Sequence, residues 1–206
     1  MMNVAAREII ETPSGIAWAD IDRPTGRPSA LLLIGHGAGG TVDSPDLIAV
    51  RDAAVAGGIA VARITQPYRA AGRRAPAPAA RLDEAWLVVT AHVRAMRGLR
   101  TLAAIHAGRS SGARVACRTA GAVGARAVIA LAFPLHPPGK PEKSRLDELE
   151  LPTVPVLVVQ GDRDPFGLPV PAPGRTVCVI AGADHSLKRD PAAVAAAVVD
   201  FVTSLG

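Results

Sequence analysis

TLAAIHAGRSSGARVACRTAGAV, residues 101–123, decides the fold class. Thr101 to Ala107 is an apolar run that ends at a glycine and reads as a buried strand. Ser111 to Val123 reads as a helix. Between them lies Gly108-Arg109-Ser110-Ser111-Gly112, a G-x-S-x-G between strand and helix. A turn this tight lifts one serine above the sheet, and it needs glycine on both sides so that neighbouring backbones approach without a Cβ clash. With 20 Gly and 8 Ser in 206 residues, chance supplies only about 0.07 such matches. Ser110 is therefore the candidate nucleophile, and Ser111 is read as offering its backbone N–H.

Working outward, the same alternation repeats. Ala30 to Gly35 and Ile59 to Ile64 read as strands buried on both faces. Ser44-Pro45 starts a helix that runs to Gly57-Gly58. Residues 65–79 read as a loop, because Pro67, Pro76 and Pro78 interrupt helix and ladder alike. Leu82, Trp86, Val89, Val93 and Met96 recur at helical spacing. Ala127 to Phe133, Val154 to Gln160 and Thr176 to Ala181 read as strands, and Asp190-Pro191 caps a last helix through Val202. Two weaker runs before residue 22 pair as an antiparallel edge. Strands alternating with helices, on connections too long for hairpins, predict an α/β protein. Its mainly parallel sheet carries helices on both faces, in a single domain over residues 1–206.

Composition narrows the classes. Hydrophobic residues are 49% and charged residues 20%, so the chain is globular and not disordered. No apolar run approaches the roughly 20 residues that cross a bilayer, so no membrane association is expected. The start, MMNVAAREIIETPSG, lacks a basic end followed by an apolar stretch, so no secretion signal is expected. Cys117 and Cys178 make no disulfide framework, and a reduced cytoplasm is the simplest setting. The net charge of +5 could mark a nucleic-acid binder. However, only three of the 23 cations are lysine, and arginine with abundant alanine is what a GC-rich genome writes everywhere. Two Trp, one Tyr and three Phe offer few stacking platforms, so no nucleic acid is expected as a partner.

A nucleophilic serine needs a base. Where the orienting acid and the histidine follow the serine in chain order, only His136 and His185 qualify. His136 precedes any acid placed after the next strand, which leaves His185, in GADHS at 182–186. The strand ending at Gly161 is followed by Asp162-Arg163-Asp164-Pro165. Asp164 is the expected acid and Asp162 the competing one. The loop His36-Gly37-Ala38-Gly39-Gly40 follows the first central strand, where small residues let a backbone N–H approach a developing oxyanion. Ala38 is the expected donor there and Ser111 the second, while His36 is expected to brace the loop. HGAGG has neither a P-loop ending nor dinucleotide-binding spacing. No metal-ligand spacing occurs, and no cofactor is called for.

The stretches HGAGG (36–40), PYRAAGRR (67–74), GRSSGAR (108–114), FPLHPPGKPEK (133–143), QGDRDPFG (160–167) and GADHSLK (182–188) together carry a resemblance. The chain resembles α/β-hydrolase-like proteins grouped with testis-expressed protein 30 and a subunit of the NSL chromatin complex. Ser111 and Ala113 stand where that family usually has Met and Gly. The resemblance implies an α/β-hydrolase fold and a triad of Ser110, Asp164 and His185. Lids of this fold are inserted near residues 133–153, where about 20 residues leave no room for a helical cap. A shallow, open site for a small or polymer-attached ester is therefore expected.

Arg69, Arg73 and Arg74 lie on a loop after a central strand and are candidate binders of an acidic substrate group, or else a solvated basic loop. The expected function is a carboxylesterase- or thioesterase-like serine hydrolase acting on a small-molecule ester. The alternative is a hydrolase-fold module that binds a protein partner without catalysis.

Overall fold

Runs of apolar residues with no polar alternation build the centre of the molecule, because a strand covered on both faces has no side to give to water. In the computed structural model, which describes residues 6–206, the strands are β1 (Ala6–Thr12), β2 (Gly15–Asp22), β3 (Ala30–Gly35), β4 (Ile59–Thr65), β5 (Ala103–Arg109), β6 (Ala127–Leu131), β7 (Val156–Gly161) and β8 (Arg175–Ile180). All residues of β3, β4, β6 and β7 are buried. The helices are α1 (Pro45–Ala56), α2 (Pro67–Ala70), α3 (Ala79–Ala95), α4 (Ser111–Thr119), α5 (Leu146–Glu150) and α6 (Pro191–Ser204).

The strands form one sheet in the order β1-β2-β4-β3-β5-β6-β7-β8. Only the β1–β2 and β2–β4 pairings are antiparallel, so the expected antiparallel edge is present. Odd and even residues of each central strand go to opposite faces. Leu32, Ile34, Val61 and Ile129 pack with Leu47 and Val50 of α1 and Val194 and Val198 of α6. Leu31, Leu33, Ala60 and Ala62 pack against Trp86, Val89 and Val93 of α3. Val128, Ala130 and Val158 meet Ala113, Ala116 and Cys117 of α4. This is the α/β-hydrolase fold. Between β6 and β7 the only helix is α5, five residues long, so among the described residues no helical lid is inserted.

Strand order reverses around β3, which is flanked by β4 on one side and β5 on the other. The loops after β3 and β5 therefore emerge side by side, at the place where such sheets bind ligands. Gly35 and Gly108 face each other in register at the ends of these strands.

Three local readings change. Residues 67–70 are helical, not loop, because Pro67 occupies the first turn of α2, where its missing N–H costs nothing. Helix α4 ends at Thr119 and not at Val123; the chain then turns through Gly121 and Gly124, the latter at φ +61°. Ser44 precedes α1, but its side chain makes no capping bond, whereas Asp190 does cap α6 by accepting from Ala193 N–H. No helix among the described residues is long and apolar enough to cross a membrane.

His106, in β5, is fully buried and accepts a hydrogen bond at Nδ1 from Trp86 Nε1 at 3.1 Å. Burial pushes its pKa down to about 3. Between that value and the ordinary histidine range the unfolded chain binds a proton that the folded chain refuses, so stability falls as pH falls through this window. The slope is about 1.4 kcal/mol per pH unit, or about 3 kcal/mol lost at pH 4.5 relative to neutrality. Asparagine can present its Oδ1 to Trp86 without titrating. In urea unfolding from pH 8 to pH 4.5, His106→Asn should flatten the acid-side slope by about one proton; parallel curves would refute this.

Candidate active site

Ser110 sits between β5 and α4 at φ 52°, ψ −110°, a conformation that non-glycine residues rarely adopt. The surrounding backbone holds it there. A Cβ on Gly108 would overlap the carbonyl group of Gly112, and one on Gly112 would lie 2.8 Å from the carbonyl oxygens of both Gly35 and His36. Ser110 N–H also donates to Leu131 O at 2.8 Å, tying the turn to β6. Ser111 begins α4, so its N–H has no earlier turn to donate to.

Two later loops converge on Ser110. His185 Nε2 is 2.9 Å from Ser110 Oγ, and His185 Nδ1 is 2.8 Å from Asp164 Oδ2. The Asp164 side chain is fully buried. Its Oδ1 accepts from Phe166 N–H and its Oδ2 also accepts from Gln160 Nε2. A carboxylate so placed accepts a hydrogen bond from Nδ1–H, which leaves Nε2 as the acceptor for the serine hydroxyl. The Phe166 ring lies over the imidazole, with centroids 4.1 Å apart. Asp162 points elsewhere and accepts from Gly182 N–H at 2.6 Å. His136 turns to the carbonyl of Pro137.

The loop 36–40 packs on this turn. A Cβ on Gly37 would meet the Arg109 guanidinium. His36 is buried, and its Nε2 accepts from Gln66 N–H at 3.1 Å while its Nδ1 lies 2.8 Å from Gly37 O. Burial pushes its pKa down, which keeps it neutral and braced between the loop and the start of α2. Tyr68 Oη donates to Ala38 O at 2.7 Å, and burial raises that phenol to about 12, so it stays a donor. Neither Ala38 N–H nor Ser111 N–H has an acceptor among the described residues.

Sequence reasoning did not single out Arg109. Its guanidinium donates to His185 O at 2.8 Å and lies 3.6 Å from the buried carboxylate of Asp46 in α1. Tyr68, Gln160 and Phe166 were equally unmarked, since their roles are hydrogen bonds and ring contacts across the fold.

In the arginine loop, Arg69 is committed to the chain itself. Arg69 donates from Nε to Gly40 O at 2.9 Å and from Nη1 to Arg73 O at 3.0 Å, so it fastens the loop 36–40. Arg73 and Arg74 are exposed, and no ion pair or hydrogen bond among the described residues links their side chains to Ser110, Asp164 or His185.

The model of the alpha/beta hydrolase domain family matches residues 28–195. The chain belongs to this family. Among solved structures, this alpha/beta hydrolase is similar to an alpha-beta serine hydrolase homologue from Coxiella burnetii, with 20% identity, TM-score 0.77 and 98% of each chain covered. It is similar to Est1E from Butyrivibrio proteoclasticus, with 18% identity, TM-score 0.77 and 98% and 99% covered. A serine hydrolase without lid from Xanthomonas campestris shares 20% identity at TM-score 0.74, with 98% and 96% covered. At these identities the likeness concerns the fold. No curated protein matches the sequence.

The close approach at the serine turn gives a direct test. Gly108→Ala drives a Cβ into backbone that cannot move aside, which should cost at least about 3 kcal/mol. For a chain of this size that is a melting temperature lower by roughly 6–12 °C. Gly39→Ala, in open space, should melt within about 2 °C of the parent. Equal melting of the two variants would refute the packing account.

Proposed function

We propose that this alpha/beta hydrolase is a serine hydrolase acting on carboxylic ester or thioester bonds through an acyl-enzyme. The observation that carries the reading is the continuous hydrogen-bond chain from Ser110 Oγ through His185 to buried Asp164. In this reading Ser110 Oγ attacks the carbonyl carbon while His185 Nε2 takes its proton. The negative oxygen that forms is held by the N–H groups of Ala38 and Ser111. The imidazolium then protonates the leaving alcohol or thiol as the carbonyl–heteroatom bond breaks. Water, deprotonated by the same imidazole, cleaves the acyl–serine bond, and a carboxylic acid leaves. Asp164 holds the imidazole in the tautomer this sequence requires.

Without a lid, the site suits a small or polymer-attached ester. Ferulic acid is bound in a structure of Est1E, which supports including aromatic-acid esters among the first substrates screened. The stretches at 67–74 and 133–143 support a finer grouping with testis-expressed protein 30 and the NSL complex subunit. The same reading takes the chain as one hydrolase domain working in the cytoplasm.

Fluorophosphonate labelling followed by mass spectrometry tests the proposal. Labelling should fall on Ser110 and vanish in Ser110→Ala and His185→Ala. Asp164→Asn should slow ester turnover by about 10³–10⁴-fold, because the amide favours the wrong tautomer. Asp162→Asn keeps an acceptor for Gly182 N–H and should stay within about threefold of the parent. Folded wild-type chain that takes no label would overturn the reading, and Asp162→Asn failing like Asp164→Asn would overturn the assignment of the acid.

A further inference from the structure

The helix α2 separates two environments. Toward Ser110 it holds the loop 36–40 by three hydrogen bonds: Tyr68 Oη to Ala38 O, Gln66 N–H to His36 Nε2, and Arg69 Nε to Gly40 O. It also walls a cleft of about 280 Å³ against the β1–β2 turn, lined by Ile16, Trp18, Pro67, Ala70 and Arg73. The cleft shares Ser14, Pro67 and Arg73 with a narrower slot over Gln66, Arg81 and Leu82. None of the residues that join Ser110, His185 and Asp164 lines either part.

Three observations say what would fit. The floor of the cleft is apolar. The exposed guanidinium of Arg73 borders both cleft and slot, and that of Arg81 lines the slot; neither has a carboxylate within ion-pair distance among the described residues, and Glu84 reaches only Ser14 Oγ, at 3.4 Å. Gln66 is 6% exposed, and its Nε2 donates to Leu82 O at 3.1 Å, yet its Oε1 accepts nothing. A buried acceptor left unpaired is costly and calls for a hydroxyl or N–H from outside the chain. The fork of a guanidinium matches the two oxygens of a carboxylate. The cleft's volume of about 280 Å³ lies just below the range of about 300–1,000 Å³ for drug-sized ligands, which calls for a small occupant.

We propose that the cleft and slot together form a second binding site, for a small organic carboxylate with an apolar body that also carries a hydroxyl. That is the class of product an ester hydrolase releases, a link that rests on the function proposed above, whereas the site itself does not. An uncleaved ester lacks the charge that Arg73 and Arg81 recognise, and cleavage creates it. The slot is lined by Gln66 and Tyr68, the same residues that bond to His36 and Ala38, so the site lies one helix away from Ser110.

The test is an NMR titration of the isotope-labelled chain with hydroxyphenylpropanoate and with its neutral amide. Expected are saturable shifts at residues 14–18 and 66–73, with the amide at least about tenfold weaker. Arg73→Gln and Arg81→Gln, both surface changes, should each weaken the acid by about tenfold or more. Shifts confined to the surroundings of Ser110 and His185, unchanged affinity in both arginine variants, or no binding up to about 10 mM would each overturn the site. Fluorophosphonate labelling decides the hydrolase reading separately. Binding in the cleft by a chain that takes no label keeps the site and removes its link to ester cleavage.

Discussion

The structure depends on one close contact, the backbone of the Ser110 turn against the end of β3. Gly108 and Gly112 stand where any side chain would overlap main-chain atoms of the turn itself or the carbonyls of Gly35 and His36. That approach fixes the unusual φ and ψ of Ser110 and directs its hydroxyl away from the sheet. It also brings the start of the loop 36–40 against Gly112 in the first turn of α4. A hydrophobic core alone could not impose this geometry, because burial is indifferent to direction. Steric exclusion at two glycines supplies the direction.

A second constraint is electrostatic and runs beneath the first. Asp46 is 1% exposed, and its oxygens lie beyond hydrogen-bond reach of Arg109, at 3.6 Å. Such a pair contributes little net stability, since taking both charges from water offsets most of their attraction. Losing one partner is another matter, at about 3–5 kcal/mol, because the other charge is left buried. The pair is thus better understood as a fixture than as a source of stability. Arg109 is held from below by Asp46 and donates upward to the carbonyl of His185. The residue beside the serine therefore positions the loop that carries the histidine.

The sheet was legible in the sequence because continuous apolar runs leave few alternatives to a strand covered on both faces. The serine turn was legible because steric need restricts which residues can stand beside Ser110. The carboxylates were harder. Asp162 and Asp164 differ in chain position by two, and what separates them is Gly161, where a Cβ would overlap the Ala183 carbonyl and so fixes how the turn leaves β7. Nothing local to residues 160–167 records that contact. The use of Arg69 was not legible for a related reason. Guanidiniums suit carboxylates, but Arg69 is taken up by the carbonyls of Gly40 and Arg73, and carbonyls occur at every residue and leave no sequence signal. The one-turn helix α2 was hidden among prolines, although Pro67 in first position is itself a helix start.

A lid commonly excludes water and firms up a site on closure. Among the described residues no helical lid is inserted between β6 and β7, so firmness has to reside in the loops themselves. Asp164 illustrates how. Its two oxygens accept three hydrogen bonds, from Phe166 N–H, Gln160 Nε2 and His185 Nδ1, with no side-chain surface left to water. Gln160 in turn reaches the carbonyls of Phe133 and Gly167, tying the loop after β6 to the loop after β7. The Phe166 ring covers the imidazole face that a lid would otherwise shield. Each group is held by at least two others, which is the condition for an orientation that survives exposure on one side. The orientation of the imidazole thus rests on contacts within the loops themselves.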